Sequence, residues 1–213
     1  MKTKIVIGVP IGDNAPSGFM QCLSDLLVYM AGKKYDVEVR MHEGSIVATS
    51  RQRIAEYALS VKASHLMFID SDMVFPKNLI EKLLLDGEDI VSAKFFKRYT
   101  PFEPCFYIYT DITEVPPKLC IPTTWVSNGM CPVDATGLAS TLIDCNVLKG
   151  MSGDMFTPRV AGIGEDIEFC AQAREAGFRV WVDLRLEAGH IGRRVAGEAQ
   201  YLEVRGCDSD SKG

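Results

Sequence analysis

Apolar residues recur along this chain in two rhythms. Short runs of Val, Ile, Met and Phe without polar interruption alternate with longer stretches in which apolar residues return every three or four positions. The first rhythm predicts strands buried on both faces, the second amphipathic helices. Lys4 to Pro10 is a first strand with Ile5, Val6, Ile7 and Val9. It breaks into Ile11 to Pro16, a loop of turn residues. Phe19, Met20, Leu23, Leu26, Leu27 and Met30 then mark a helix, with Ser17 as N-cap and Gly32 as stop. Val37 to His42 alternates as a second strand, followed by Glu43-Gly44-Ser45. A helix starting near Ser50 carries Ile54, Ala55, Ala58 and Leu59 inward. Leu66, Met67, Phe68 and Ile69 form a third strand. Pro76 opens a helix with the stripe Leu79, Ile80, Leu83 and Leu84, ended by Gly87. Asp89 to Phe96 is a fourth strand. This alternation predicts an α/β protein with a parallel sheet and helices on both faces.

The rhythm fails from Lys97 to Pro132, where six prolines and several aromatics stand together. Loops and a short hairpin near Cys105 to Tyr109 are expected, in the role of a lid or substrate wall. Leu138 to Ile143 is a strand and Asn146 to Gly150 a short helical turn. Gly162 to Phe169 is glycine-led and acidic. It opens a helix that reaches Ala176, stops at Gly177 and turns Ile167, Cys170 and Ala171 inward. Val180 to Asp183 is a last strand. The polar stretch 206–213 is expected to be a disordered tail, leaving 1–205 as a single domain.

With 213 residues, the chain is long enough to bury a substantial core. A net charge of −5 argues against a general nucleic-acid coat or a polybasic membrane binder. Met1-Lys2-Thr3-Lys4 runs straight into the first apolar stretch without a small-residue cleavage site, so no signal peptide is expected. No run has the length of a membrane span. The seven cysteines include no CxxC pair and are expected to be reduced thiols of a cytoplasmic protein.

Three clusters carry candidate chemistry. Asp70-Ser71-Asp72 follows the third strand, at the rim where ligands bind in open α/β sheets. Two hard oxygen donors there suit Mg²⁺ or Mn²⁺ carrying a phosphate, although Asp and Ser are equally common in turns. Glu165, Asp166 and Glu168 occupy a helix N-terminus, where acidic residues also sit for electrostatic reasons alone. Arg51 and Arg53 near the start of a helix run against the macrodipole, which points to an anionic partner or to a salt bridge on a solvated face. His190 lies in Gly189-His190-Ile191-Gly192.

Taken in order, these pieces resemble the GT-A glycosyltransferases, and family 2-like members above all. The resemblance rests on Val9-Pro10, Ser50-Arg51-Gln52, FIDSDM at 68–73, VDATG at 133–137, GEDIEFCAQAREAGFRVWVD at 164–183 and GHIG at 189–192. It implies a Rossmann-like, mostly parallel central sheet flanked by helices. It further implies metal-dependent sugar transfer from a nucleotide-diphosphate sugar, a UDP-sugar being the expected donor, to an acceptor hydroxyl of unknown identity. Pro10, Ile11 and Glu43 would cradle the base, and Arg51 would face the diphosphate. Asp70 and Ser71 would contact the nucleotide. Asp70, Asp72 and His190 would hold Mn²⁺ or Mg²⁺. Asp166 would be the base of an inverting reaction, kept ionised by the helix N-terminus, with Glu165 orienting a substrate. Asp134, Gly137 and Gly164 would border the donor sugar and acceptor.

The chain departs from the pattern in places. Gln52 replaces the usual Asn, and Leu138-Ala139-Ser140 stand where a further glycine is usual. A long acceptor-binding extension is missing, so a polymerising synthase is not expected. Two alternatives are a sugar nucleotidyltransferase, which would want a basic glycine-rich loop where Ile11 to Ser17 has no Lys or Arg, and an inactive nucleotide-sugar-binding module. A hydrolase with Asp70 as nucleophile would place its motif on the first strand.

Overall fold

The computed structural model describes the chain except Met1, Asp13, residues 112–115, Pro117, residues 123–128, Ser152, residues 193–196 and 211–213, and the side chains of 205–210. In chain order the elements are β1 (Thr3–Ile11), α1 (Ser17–Ala31), β2 (Tyr35–Glu43), α2 (Val47–Ser60), β3 (His65–Ile69), β4 (Met73–Val74), α3 (Leu79–Asp86) and β5 (Ile90–Lys94). There follow β6 (Phe106–Asp111), β7 (Lys118–Cys120), β8 (Met130–Val133), β9 (Ala135–Thr136), β10 (Ser140–Asp144) and α4 (Cys145–Gly150). The chain then forms α5 (Glu165–Glu175), β11 (Val180–Glu187), β12 (Gly189–His190) and α6 (Glu198–Asp210).

A seven-stranded sheet in the order β2-β1-β3-β10-β5-β11-β8 forms the middle layer. Strand alternation divides its side chains between two cores. Ile5, Ile7, Val9, Met67 and Ile69 pack under α1 and α3, against Phe19, Leu23, Leu26 and Ile80. Val6, Leu66, Phe68 and Ile143 face α2, α4 and α5, against Ile54, Ala58, Leu148 and Phe169. The two apolar faces explain why the strands read as unbroken hydrophobic runs. Gly8 is the exception that lets α2 close down: a Cβ there would stand 2.4 Å from Ile54 Cγ2.

The sheet is mixed rather than mostly parallel. β2, β1, β3, β5 and β11 share one direction, while β10 and β8 run against their neighbours. β10 inserts between β3 and β5, so the fourth strand expected from sequence is not a neighbour of the third. A βαβ rhythm reports helix alternation but not a later strand threading between two earlier ones.

Other expectations shift locally. Ser17 is the first residue of α1 and gives no capping bond, Pro16 taking the N-cap position. α2 begins at Val47, three residues before Ser50, whose hydroxyl meets His42 Nδ1 at 3.2 Å instead of capping. Arg51 therefore belongs to the body of α2. Gly87 ends α3 in the left-handed conformation at φ 68°, which an L side chain adopts only with strain. Phe106–Asp111 pairs with Lys118–Cys120 and with β9, so the expected hairpin is present, although parts of 97–132 lie outside the described residues. α6 continues through Asp210, replacing the expected disordered tail over 206–210, with Tyr201 buried against Phe96 at 5.7 Å between ring centroids; residues 211–213 lie outside the described set. Among the described residues, no helix is long and apolar enough to cross a membrane. The cysteines described, Cys22, Cys105, Cys120, Cys131, Cys145 and Cys170, are free thiols.

Gly8→Ala should destabilise the fold by about 1–3 kcal/mol through overpacking against Ile54. Urea unfolding should show the double variant Gly8→Ala/Ile54→Ala to be more stable than the sum of the single effects, because removing Cγ2 relieves the contact.

Candidate functional site

Because β2, β1 and β3 are parallel neighbours, their C-terminal ends share one rim. The register sets Ile11 opposite Glu43, and the Gly44 N–H donates to the Ile11 carbonyl at 3.3 Å. Asp70 follows β3 directly. Its N–H donates to the Ala139 carbonyl at 3.0 Å, and its carbonyl accepts from the Met73 N–H at 3.1 Å. Asp70-Ser71-Asp72 is thus a turn, and a turn that opens on a cavity. Asp70, Ser71 and Asp72, with Pro10, Gly12, Asn14, Pro16, Val47, Arg98 and Ile191, line about 510 Å³ at the strand tips. That volume lies in the range of small-molecule sites.

The GHIG segment reaches this rim through backbone pairing. β12 pairs with β4, setting His190 opposite Met73, and the Ile191 N–H donates to the Asp72 carbonyl at 2.7 Å. His190 Nδ1 bonds the Phe96 carbonyl. A carbonyl only accepts, so Nδ1 carries a proton, and in the neutral ring the lone pair is on Nε2. This is the way histidine ligands are commonly oriented.

Arg51 is the buried centre of the site. Only 3% of its side chain is exposed. Nη2 donates to both oxygens of Asp70 at 2.9 and 3.2 Å, Nε donates to Glu165 Oε1 at 3.3 Å, and the guanidinium lies 5.1 Å from the Phe68 ring centre. Burial alone would weaken its charge, but Asp70, Glu165 and Asp166 together hold it protonated. The expected phosphate contact is replaced by a strut: Arg51 lies beneath the cavity and ties the end of β3 to the start of α5. Arg53, by contrast, is an exposed charge paired with Glu56 at 3.0 Å.

Asp166 sits in the first turn of α5. Its carboxyl is pushed up to about 6, by burial first and by Glu165 second, with Arg51 pulling the other way. The helix N-terminus was expected to favour ionisation; burial and a neighbouring carboxylate outweigh it. A base near pH 6 is nevertheless mostly ionised at neutral pH and retains basicity. Gly164 makes room for it, and the neighbouring Gly137 makes room for Phe95. A Cβ at Gly164 would stand 2.5 Å from Asp166 Oδ1; one at Gly137 would stand 2.6 Å from Phe95 Cζ and 3.5 Å from Asp166 Oδ2.

Some predicted residues are not brought to the cavity. Asp134 accepts from the Tyr109 N–H at 2.7 Å and pairs with Arg174 at 2.6 Å, in a separate cavity of about 860 Å³ beside α5. Asp70 is turned toward Arg51, and Asp72 toward Arg98 at 2.7 Å. Among the described residues, no group of three or more His, Cys, Asp or Glu stands ready to hold a metal ion. The donor types at the rim still suit Mn²⁺ or Mg²⁺: an Asp72 carboxylate on the cavity wall and an imidazole whose lone pair is fixed on Nε2.

Sequence reading missed Arg98, Asn14 and Val47 as cavity residues, and Glu168 as a buried carboxylate bonded to Arg159. Arg98 falls in the aperiodic middle of the chain, where spacing gives no signal. Glu168 looked like part of a solvated acidic helix start.

The chain matches no known family profile and no curated protein sequence. Among solved structures it is similar to A197 from STIV, with a TM-score of 0.63 and 19% sequence identity over 90% of this chain and 86% of that one. At that identity the likeness shows a shared fold.

Arg51→Met should cost about 3 kcal/mol of stability, the low end for breaking a buried ion pair because Asp70 and Glu165 keep some contact with water. Urea unfolding should show it, with Arg51→Lys in between. Asp166→Asn should do the opposite at pH 7–8. A carboxyl whose folded pKa is raised favours folding most below its unfolded pKa and loses that contribution as pH rises through about 6. The variant's gain over wild type should therefore vanish below about pH 4, the usual carboxylate range.

Proposed function

We propose that this chain is a GT-A-type glycosyltransferase that moves a sugar from a nucleotide-diphosphate donor to an acceptor hydroxyl. The observation that carries this reading is the cavity of about 510 Å³ at the tips of β1 and β3, lined by Asp70, Ser71 and Asp72. Arg51 joins this cavity to the acidic start of α5 through Asp70 and Glu165. The cavity thus offers oxygen donors for a metal-bound nucleotide, and the helix start tied to it through Arg51 offers a carboxylate of suitable basicity. The A197 likeness shows a shared α/β fold and adds nothing about activity.

In this reading Pro10 and Ile11 form one wall for the base, with Glu43 beside Ile11 as an acceptor for a base N–H. Asp72 and His190 Nε2 would hold Mn²⁺ or Mg²⁺, with Asp70 close by. The ion would neutralise the diphosphate and stabilise it as a leaving group. Asp166 takes the proton of the acceptor hydroxyl as that oxygen attacks the anomeric carbon. The bond from that carbon to the diphosphate oxygen breaks, and the nucleotide diphosphate leaves with the electron pair. Glu165 is held by Arg51, which fixes the first turn of α5 and so the position of Asp166. Asp134, Gly137 and Gly164 take different parts: Gly164 clears space for Asp166, Gly137 for Phe95, and Asp134 orders Tyr109 and Arg174. Burial pushes the Cys105 thiol up to about 12, so it supplies no thiolate nucleophile near Asp166 at neutral pH.

The test is release of nucleoside diphosphate from a panel of nucleotide sugars with Mn²⁺, with and without sugar and peptide acceptors. Turnover should rise with pH along a limb centred near 6, as Asp166 ionises. Asp166→Asn should retain nucleotide-sugar binding and lose transfer by at least about 10²-fold, the usual size of a general-base contribution. Formation of a nucleotide sugar and pyrophosphate from a nucleoside triphosphate and a sugar 1-phosphate would replace the reading with nucleotidyl transfer. Tight binding without turnover would reduce it to a binding module.

A further inference from the structure

Of the described residues lining the Asp70–Asp72 cavity, Arg98 is the one cation. It stands on the turn that leaves β5, and the turn is anchored on both sides. The Lys97 N–H donates to the Glu103 carbonyl at 2.8 Å, the Phe102 N–H donates to the Tyr99 carbonyl at 2.7 Å, and Lys97 pairs with Glu103 at 2.7 Å. Phe102 is buried beneath the turn. The same stretch supplies the Phe96 carbonyl that orients His190. Arg98 thus has a fixed backbone at the cavity mouth and a side chain that is 45% exposed. Its guanidinium holds Asp72 at 2.7 Å and leaves further N–H groups unspent on that single contact.

We propose that Arg98 is the anion-binding residue of this cavity, neutralising Asp72 in the free protein and gripping the phosphates of a nucleoside diphosphate once a divalent cation takes Asp72. This rests on the reading of the cavity as a nucleotide site. The charges argue for it. Asp70 already has a buried counter-charge in Arg51, so the second strand-tip carboxylate is the one open to a metal. A cation arriving at Asp72 displaces an exposed guanidinium, and an exposed ion pair is weak enough to yield. The freed fork lies beside the phosphates that arrive with the metal, and its planar donors suit phosphate oxygens. Arg51 does not do this work, because it is buried beneath Asp70 and fully engaged.

Arg98→Gln separates the two roles. Isothermal titration with Mn²⁺ alone should show the variant binding the metal roughly two- to fivefold more tightly than wild type, since the competing cation is gone. Titration with uridine diphosphate at saturating Mn²⁺ should show about tenfold weaker binding, the size of one lost charge-assisted hydrogen bond. Arg98→Lys should recover part of both. An unchanged thermal midpoint should accompany these effects, as Arg98 is exposed. Unchanged uridine diphosphate affinity in Arg98→Gln overturns the proposal and leaves the proposed function standing. Failure of wild-type protein to bind uridine diphosphate or any other nucleoside diphosphate with Mn²⁺ overturns both.

Discussion

A buried guanidinium needs partners on every side, and Arg51 has them from separate parts of the chain. Asp70 ends the third strand and Glu165 begins the fifth helix, yet both bond the same side chain. Its third donor group points at the Leu138 carbonyl at 3.5 Å, at the entry to β10. One planar fork therefore reads the positions of three segments at once, something an ammonium with its unfixed donors would do poorly. The carboxylates in turn face the rim only because Arg51 neutralises them from below. Without the strut, the two acidic turns would repel each other across the sheet edge.

The antiparallel strand β10 is what makes the rim populous. Parallel strands deliver their C-terminal ends to one edge, which here gives Pro10, Ile11, Glu43 and Asp70. A strand inserted against them delivers its N-terminal end to the same edge. Ser140 pairs with Ile69, and the preceding residues Gly137 to Ala139 lie where the carbonyl of Ala139 can take the Asp70 N–H. That is why Gly137 borders Asp166, although the two are far apart in sequence. The short β4–β12 pairing then adds His190 from the end of β11. The departure from an all-parallel sheet is thus part of how the site is assembled.

Much of the frame was legible in the residues. Unbroken runs such as Leu66 to Ile69 and three-and-four spacings such as Leu79, Ile80, Leu83 predict elements that the structure contains. The rim position of Asp70-Ser71-Asp72 follows from strand geometry, and Gly164 before Glu165 follows from the crowding at Asp166. Strand order was not legible, because pairing of β10 with both β3 and β5 is a long-range choice that local pattern does not encode. The burial of Arg51 was legible in principle. It shares the stripe of Ile54, Ala55 and Ala58 at three, four and seven residues, so the helix period alone puts it on the inward face. Reading it as a charge, rather than by its place in the period, directed it toward solvent and phosphate. Arg98 offered no such clue, since its turn has no period.

Asp166 shows how opposing electrostatic effects settle the chemistry available at this edge. The first turn of α5 stabilises negative charge, and Arg51 lies close enough to add to that. Acting alone, these would make a weak base, ionised across the whole physiological range and reluctant to accept a proton. Burial beside Gly137, and the charge of Glu165 next to it, push the other way and win. The outcome, about 6, is a carboxylate that is ionised at neutral pH and still worth protonating. Pinned by Arg51, Glu165 lies beside Asp166 and adds to the rise that burial causes first, while Arg51 opposes it. The 3.3 Å contact between Arg51 and Glu165, longer than the 2.9 Å contact to Asp70, fits a guanidinium committed first to the strand tip and only in part to the helix.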